Sequence, residues 1–216
     1  AHIPFNDLDA LERELDNSVC AVMIEVVQGE GGVIPADPEY LKGVRTLCSD
    51  TGTLLIFDEI QTGMGRCGTL FAHQGYGVTP DIMTLAKALA NGFPMGAMLA
   101  TEHAATGFEP GSHASTFGGT PLATAAGLET LTLISQPDFL EQVRKTSQYF
   151  ILALEDLKQK HPRIKEVRGK GLLLGMEIDE NASQVVSQCY KKGFIINGIQ
   201  DKVLRFAPPL IVAEKE

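Results

Sequence analysis

The sequence predicts an α/β fold: part of a large domain on a mainly parallel sheet, followed by a small α+β domain. Three observations carry this. Two continuous apolar runs, CAVMIEVV (20–27) and TLLIFDE (53–59), flank the amphipathic stretch PEYLKGVRTLCSDTG (38–52). Strand, helix and strand within about 40 residues make a parallel α/β unit. Past residue 135 the texture changes to shorter strands around a helix, which sets the expected division at 1–135 and 136–216.

In chain order, DLDALERELD (7–16) places Leu8, Leu11 and Leu15 on one helical face. Residues 20–27 read as a strand covered on both faces. QGEGGVIP (28–35) is a glycine-rich loop. The helix over 38–52 has Asp37 to cap it, Pro38 in its first turn and Gly52 to stop it. Residues 53–59 form a second buried strand. DIMTLAKAL (81–89) begins as a short strand or turn, and MGAMLAT (95–101) reads as another strand. PLATAAGLETLTLI (121–134) is a helix of small and apolar residues, expected to pack closely against something. Residues 138–161 are one long amphipathic helix. GLLLGMEI (171–178), GFIIN (193–197) and KVLRFAPP (202–209) are predicted strands around a helix over 183–192.

Composition narrows the function. The 216 residues are 44% apolar and 21% charged, enough for a packed core. A net charge of −9 argues against nucleic acid as the main partner. No apolar run approaches the roughly 20 residues of a membrane helix. The N-terminal stretch lacks the pattern of a signal peptide. Cys20, Cys48, Cys67 and Cys189 are scattered, with Cys20 and Cys48 expected as core thiols, and no histidine spacing suggests a metal site. A cytoplasmic setting fits these features. The chain starts within a few residues of a helix and ends without a closing element, so a portion of a longer protein is expected.

The chemistry starts with Asp58. It ends an apolar strand, where open α/β sheets bind ligands, and a buried carboxylate there requires a cationic partner. Taken alone, a strand-end Asp more commonly caps a turn. Glu59, its neighbour, points the other way and is expected to face solvent or a subunit. Lys87 sits among Leu85, Ala86, Ala88 and Leu89. It either snorkels to the surface or is a desolvated amine able to form an imine with a carbonyl. An imine-forming lysine and a carboxylate opposite a pyridinium nitrogen are the constellation that holds pyridoxal phosphate.

At these residues a family resemblance appears. IEVVQGEGGVIP, LLIFDEIQTGMGRCG, PDIMTLAKALANGFPMGA, HASTFGGTPLA and VRGKGLLLGME, in that order, resemble the class III aminotransferases of the fold type I pyridoxal-phosphate family. The pairing of DEIQTG with LAKAL is the specific element. The resemblance implies transamination of an ω-amino group, with N-acetylornithine foremost as donor and 2-oxoglutarate as acceptor. Ornithine, 4-aminobutyrate and succinyldiaminopimelate stay open as donors. So do a mutase or racemase of the same class, and an inactive piece lacking its N-terminal part.

The resemblance also implies residue roles. Asp58 would pair with the ring nitrogen, Gln61 with the phenolic oxygen, and Lys87 would hold the cofactor and then act as base. Arg168 would grip the substrate α-carboxylate through its guanidinium fork, with Glu30 pairing to it when no such carboxylate is present. Thr116 would reach the cofactor phosphate of a neighbouring subunit, so a homodimer with shared sites is expected. Val26, Ala114, Thr120 and Cys67 depart from the family pattern without removing a catalytic group. The family's second phosphate loop and its ring-stacking aromatic are not among these residues, which implies a further N-terminal portion.

Overall fold

The structure is a computed structural model that describes residues 1–215. The first unit is built on a four-stranded sheet, order β1-β4-β5-β6. Strands β1 (Ala21–Glu25), β4 (Leu54–Asp58) and β5 (Ile82–Leu85) run parallel, and β6 (Ala97–Ala100) is antiparallel to β5. The register aligns Glu25 with Asp58 and Asp58 with Thr84, so three polar side chains meet at one end of the sheet.

Helix α1 (Leu8–Glu14) is capped by Asp7, whose side chain accepts from the Ala10 N–H. Helix α2 (Pro38–Thr51) begins as its sequence dictates. Asp37 Oδ1 accepts from the Glu39 and Tyr40 N–H groups at 2.8 and 3.4 Å, Pro38 fills the first turn, and Gly52 stops the helix at φ +72°. Leu41, Val44 and Cys48 of α2 pack with Leu55 and Phe57 of β4 in the main core. Phe57 is fully buried, and truncating it to alanine would destabilise the fold by about 3–5 kcal/mol. Strand β1 is less enclosed than its apolar run suggests: Met23 is 59% exposed. Asp81 fastens the sheet's other end, accepting from the Leu55 N–H at 2.7 Å and from Arg45 Nη1 at 2.8 Å.

The glycine-rich stretch 28–35 is more ordered than a plain loop. Strands β2 (Val27–Gln28) and β3 (Ile34–Pro35) pair across it as a small antiparallel ladder. After β6 come a short helix, α3 (Glu102–Ala105), and then α4 (Pro121–Ile134) and α5 (Pro137–Lys160). Helix α4 buries Ala123, Gly127 and Ile134 but leaves Leu122, Leu128 and Leu133 exposed. A helix that is apolar on all sides is normally covered on all sides.

The second sheet is antiparallel, order β7-β8-β10-β9, from β7 (Ile164–Lys170), β8 (Leu173–Ile178), β9 (Asn197–Ile199) and β10 (Val203–Phe206). Its core is Leu154 of α5, Val167, Leu174, Met176, Leu204 and Ala182 of α6 (Ala182–Lys191). Strand β7 escapes the sequence patterning because it is an edge strand, IKEVRGK, and edges carry charge. The strand expected at 193–197 lies instead at Asn197–Ile199, and Phe194 and Ile195 are exposed. Leu173, Ile199 and Val203 of the second sheet join the main core, so the two sheets share apolar packing.

Of the thiols, Cys48 and Cys67 are buried and Cys189 is intermediate. Cys20 is exposed, because it precedes β1 instead of lying within it. Among the described residues, no group of histidine, cysteine and carboxylate side chains could hold a metal ion, and no helix is long and apolar enough to cross a membrane.

Candidate active site

Asp58 closes β4, and its Oδ1 accepts from the Ile60 N–H at 2.9 Å, turning the chain sharply past the sheet end. It lines a cavity of about 430 Å³ together with Glu25 and Gln28. Glu59 does not face solvent. It is 1% exposed and receives four donors: the Ala72 N–H at 2.6 Å, the His73 N–H at 2.8 Å, His73 Nδ1 at 2.8 Å and the Thr62 hydroxyl at 3.4 Å. The turn after Asp58 breaks strand alternation, and this delivers Glu59 to the start of the 3-10 helix Ala72–Tyr76.

Lys87 follows β5, where Thr84 stands opposite Asp58 in register. It opens a 3-10 turn, Lys87–Ala90, with φ +45°. A non-glycine residue there is held at a cost of about 1–3 kcal/mol, a strain that concentrates at functional positions. Asn91, at φ +48°, ends the turn. Lys87, Ala88 and Asn91 line a cavity of about 540 Å³ with Gln61, Ile60 and Arg66. Arg66 ties that cavity to the second sheet, donating to the Leu172 and Pro208 carbonyls at 3.0 and 2.6 Å.

Glu30, Gln61 and Arg205 form one cluster. Arg205 Nη1 lies 2.6 Å from Glu30 Oε1 and 3.2 Å from Gln61 Oε1, and Gln61 Nε2 donates to Glu30 Oε1 at 3.1 Å. The hydrogen bond from Arg205, then that from Gln61, hold the Glu30 carboxyl below its ordinary value, with a smaller pull from the Lys87 charge. The Gln61 amide lies against Gly29, where a Cβ would stand 2.6 Å from it, so a side chain at 29 would push the amide out of its present place.

The sequence pairing of Glu30 with Arg168 is corrected by this geometry. Arg168 sits mid-β7, and its Nη1 is bound to Glu166 and Glu177 at 2.7 Å each. Its Nε donates to the Gly32 carbonyl at 2.9 Å. The glutamate's partner is Arg205, which sequence reasoning missed. The signal was present: an arginine inside KVLRFAPP is a charge within an apolar strand, the same anomaly that singled out Asp58. Thr116 lies on an exposed stretch between α3 and α4, outside both cavities.

Pyridoxal phosphate, the cofactor that the resemblance implies, meets a compatible donor set. Among the described residues the buried Thr84 hydroxyl has no hydrogen-bond partner, opposite Asp58 in register, and Lys87 and Gln61 line one cavity while Asp58 lines another. Fold and site together define a lysine-bearing α/β scaffold. The chain belongs to the class III aminotransferase family, whose model matches residues 2–216. It is 53% identical over 216 residues to an acetylornithine aminotransferase of Caldanaerobacter subterraneus subsp. tengcongensis, covering 100% of this chain and 55% of that protein. An acetylornithine aminotransferase of Methanocaldococcus jannaschii is 50% identical over 215 residues, covering 100% of this chain and 54% of that protein. Among solved structures, the N-acetylornithine aminotransferase of Stenotrophomonas maltophilia superposes with TM-score 0.90 at 38% identity, covering 99% of this chain and 57% of that one. Plasmodium falciparum ornithine δ-aminotransferase gives TM-score 0.93 at 38% identity, covering 99% and 56%. The chain spans about half the length of the curated relatives it matches.

Proposed function

We propose that these residues serve a pyridoxal-phosphate-dependent transamination of an ω-amino group, with N-acetylornithine as donor and 2-oxoglutarate as acceptor, a step of arginine biosynthesis. The observation that carries this reading is the Glu30–Arg205–Gln61 cluster within electrostatic reach of Lys87. When bound, the cofactor supplies an aldehyde that carries the amino group and a ring that withdraws electrons as the substrate loses a proton. Asp58 would hold the proton on the ring nitrogen, and the Gln61 amide would donate to the phenolic oxygen. Lys87 Nζ would anchor the cofactor covalently. Once substrate displaces it, Nζ would move the proton from the carbon that bears the amine.

Two dissimilar substrates must share this site. The ω-amino donor presents no carboxylate near its reacting carbon, and Glu30 then neutralises Arg205. The 2-oxo acid presents its α-carboxylate next to the carbonyl, and Arg205 can take it in a two-point fork once Glu30 turns away. Arg205 thus assumes the role first assigned to Arg168. A mutase or racemase has no use for such an exchange.

The proposal includes a cofactor-binding unit over 1–135, a smaller unit over 136–216, and a homodimer in which Thr116 reaches the partner's cofactor phosphate. The exposed leucines of α4 support such a contact. Borohydride reduction of the holoenzyme followed by peptide mass mapping tests the reading: a pyridoxyl adduct on the Lys87 peptide is expected, and an adduct confined to another lysine overturns it.

A further inference from the structure

Glu30 is held in two separable ways. Its carboxylate meets Arg205 and Gln61, while the backbone of its loop is fastened by other residues. The Gly29 N–H donates to Glu25 Oε2 at 2.8 Å, from the end of β1. Gln200 Nε2 donates to the Glu30 carbonyl at 2.9 Å, from the turn between β9 and β10. Arg168 Nε donates to the Gly32 carbonyl at 2.9 Å, from β7. The loop needs such fastening. Val33 is a β-branched residue at φ +53°, fully buried, and Gly175 of β8 is the neighbour that makes room for it. Gln200 itself sits at φ +51°, the left-handed turn position that aims its amide across to the loop. None of the three fasteners touches the Glu30 carboxylate.

We propose that Arg168 and Gln200 are positioning residues that lock the backbone of 29–32, so that the Glu30 carboxylate turns off Arg205 while its loop stays in place. This rests on the two-substrate reading above. A carboxylate on a fixed backbone has two discrete settings, on Arg205 or off it. On a loose loop it would sample many, and the arginine would be incompletely shielded in one half reaction and incompletely released in the other. Arg168 also explains its own company: Glu166 and Glu177 neutralise the guanidinium so that its Nε can serve a neutral carbonyl.

The test uses the holoenzyme with Gln200→Met, which removes the donor at an exposed position without adding charge, and Arg168→Lys, which keeps the charge but loses Nε. Hydrogen exchange at the Gly29 and Val33 amides should quicken about five-fold in each variant, the factor that one hydrogen bond of ordinary net strength supplies. The KM for 2-oxoglutarate should rise about five-fold in Gln200→Met, with kcat and the rate of the donor half reaction changed less than two-fold. Unchanged exchange in Gln200→Met overturns the positioning role, since that variant leaves the packing intact. A rise in exchange with no shift in the oxo-acid KM overturns the link to Glu30. If wild-type holoenzyme transfers no amino group from any ω-amino donor, the functional reading and that link fall together, and the exchange result still decides whether the loop is fastened as described.

Discussion

Replacing Glu59 by glutamine gives the most direct check on how the sheet end is held. The carboxylate is 1% exposed and accepts from two backbone N–H groups, at 2.6 and 2.8 Å, and from His73 Nδ1 at 2.8 Å. An amide of the same size keeps one acceptor oxygen and turns an NH₂ toward the remaining donors. At least one charge-assisted bond is lost, about 1.5–3 kcal/mol, and a buried N–H is left unpaired, about 1–3 kcal/mol more. The expected loss is therefore about 3–5 kcal/mol. For a chain of this size each kcal/mol moves the unfolding midpoint by about 2–4 °C, so the midpoint should fall by roughly 6–20 °C. Differential scanning calorimetry of the variant and wild type at neutral pH measures it. A fall of less than 2 °C would mean that Glu59 does not fasten the Ala72–Tyr76 turn to β4, and the reasoning would be refuted.

Three further outcomes follow from the same geometry. Arg205→Lys loses the planar fork and should raise the KM for 2-oxoglutarate by about 30- to 100-fold, with a much smaller effect on the ω-amino donor in the first half reaction; equal losses in both would contradict the division of labour. Asp81→Asn should destabilise at neutral pH and also flatten the acid limb. Burial pushes the Asp81 carboxyl up, but the Leu55 N–H and Arg45 outweigh it and leave the carboxyl below its ordinary 3.8. The stabilisation is then complete above that value and is lost as pH falls through the lowered folded value, which urea titrations at several pH values will show. Gly171→Ala should unfold or misfold the chain, because its φ is +60° and a Cβ would lie 2.4 Å from the Arg66 carbonyl; a stable variant by circular dichroism would contradict this.

Much of the architecture was legible because local and global preferences agree. Asp37, Pro38 and Gly52 bracket α2 by cap chemistry that acts within one turn, and the apolar run 54–57 ends at Asp58, where β4 ends. The polar edge strand β7 was not legible, since Lys165, Glu166 and Arg168 satisfy solvent and ion pairs and leave no period of two. The same applies to Glu59: strand alternation sends it outward, and only the tight turn at Asp58 brings it inside. At the candidate site, Asp58 and Lys87 stood out because a polar group interrupts an apolar run, whereas Gln61 was named only through the family resemblance. The partner of Glu30 could not be read from spacing, because Arg205 lies 175 positions away and only the docking of the second sheet joins them.

The unequal enclosure of the thiols has a practical consequence. Burial pushes Cys67 up to about 12 and Cys48 to about 11, so both are protonated and shielded at neutral pH. Cys20, open to solvent ahead of β1, is then the most exposed thiol for a maleimide dye, with the half-buried Cys189 as its competitor, so the labelling is done on a Cys189→Ser variant. A fluorophore placed at Cys20 reports on β1 and the strand end that carries Glu25, and delayed reaction of the enclosed pair becomes a clock for opening of the core.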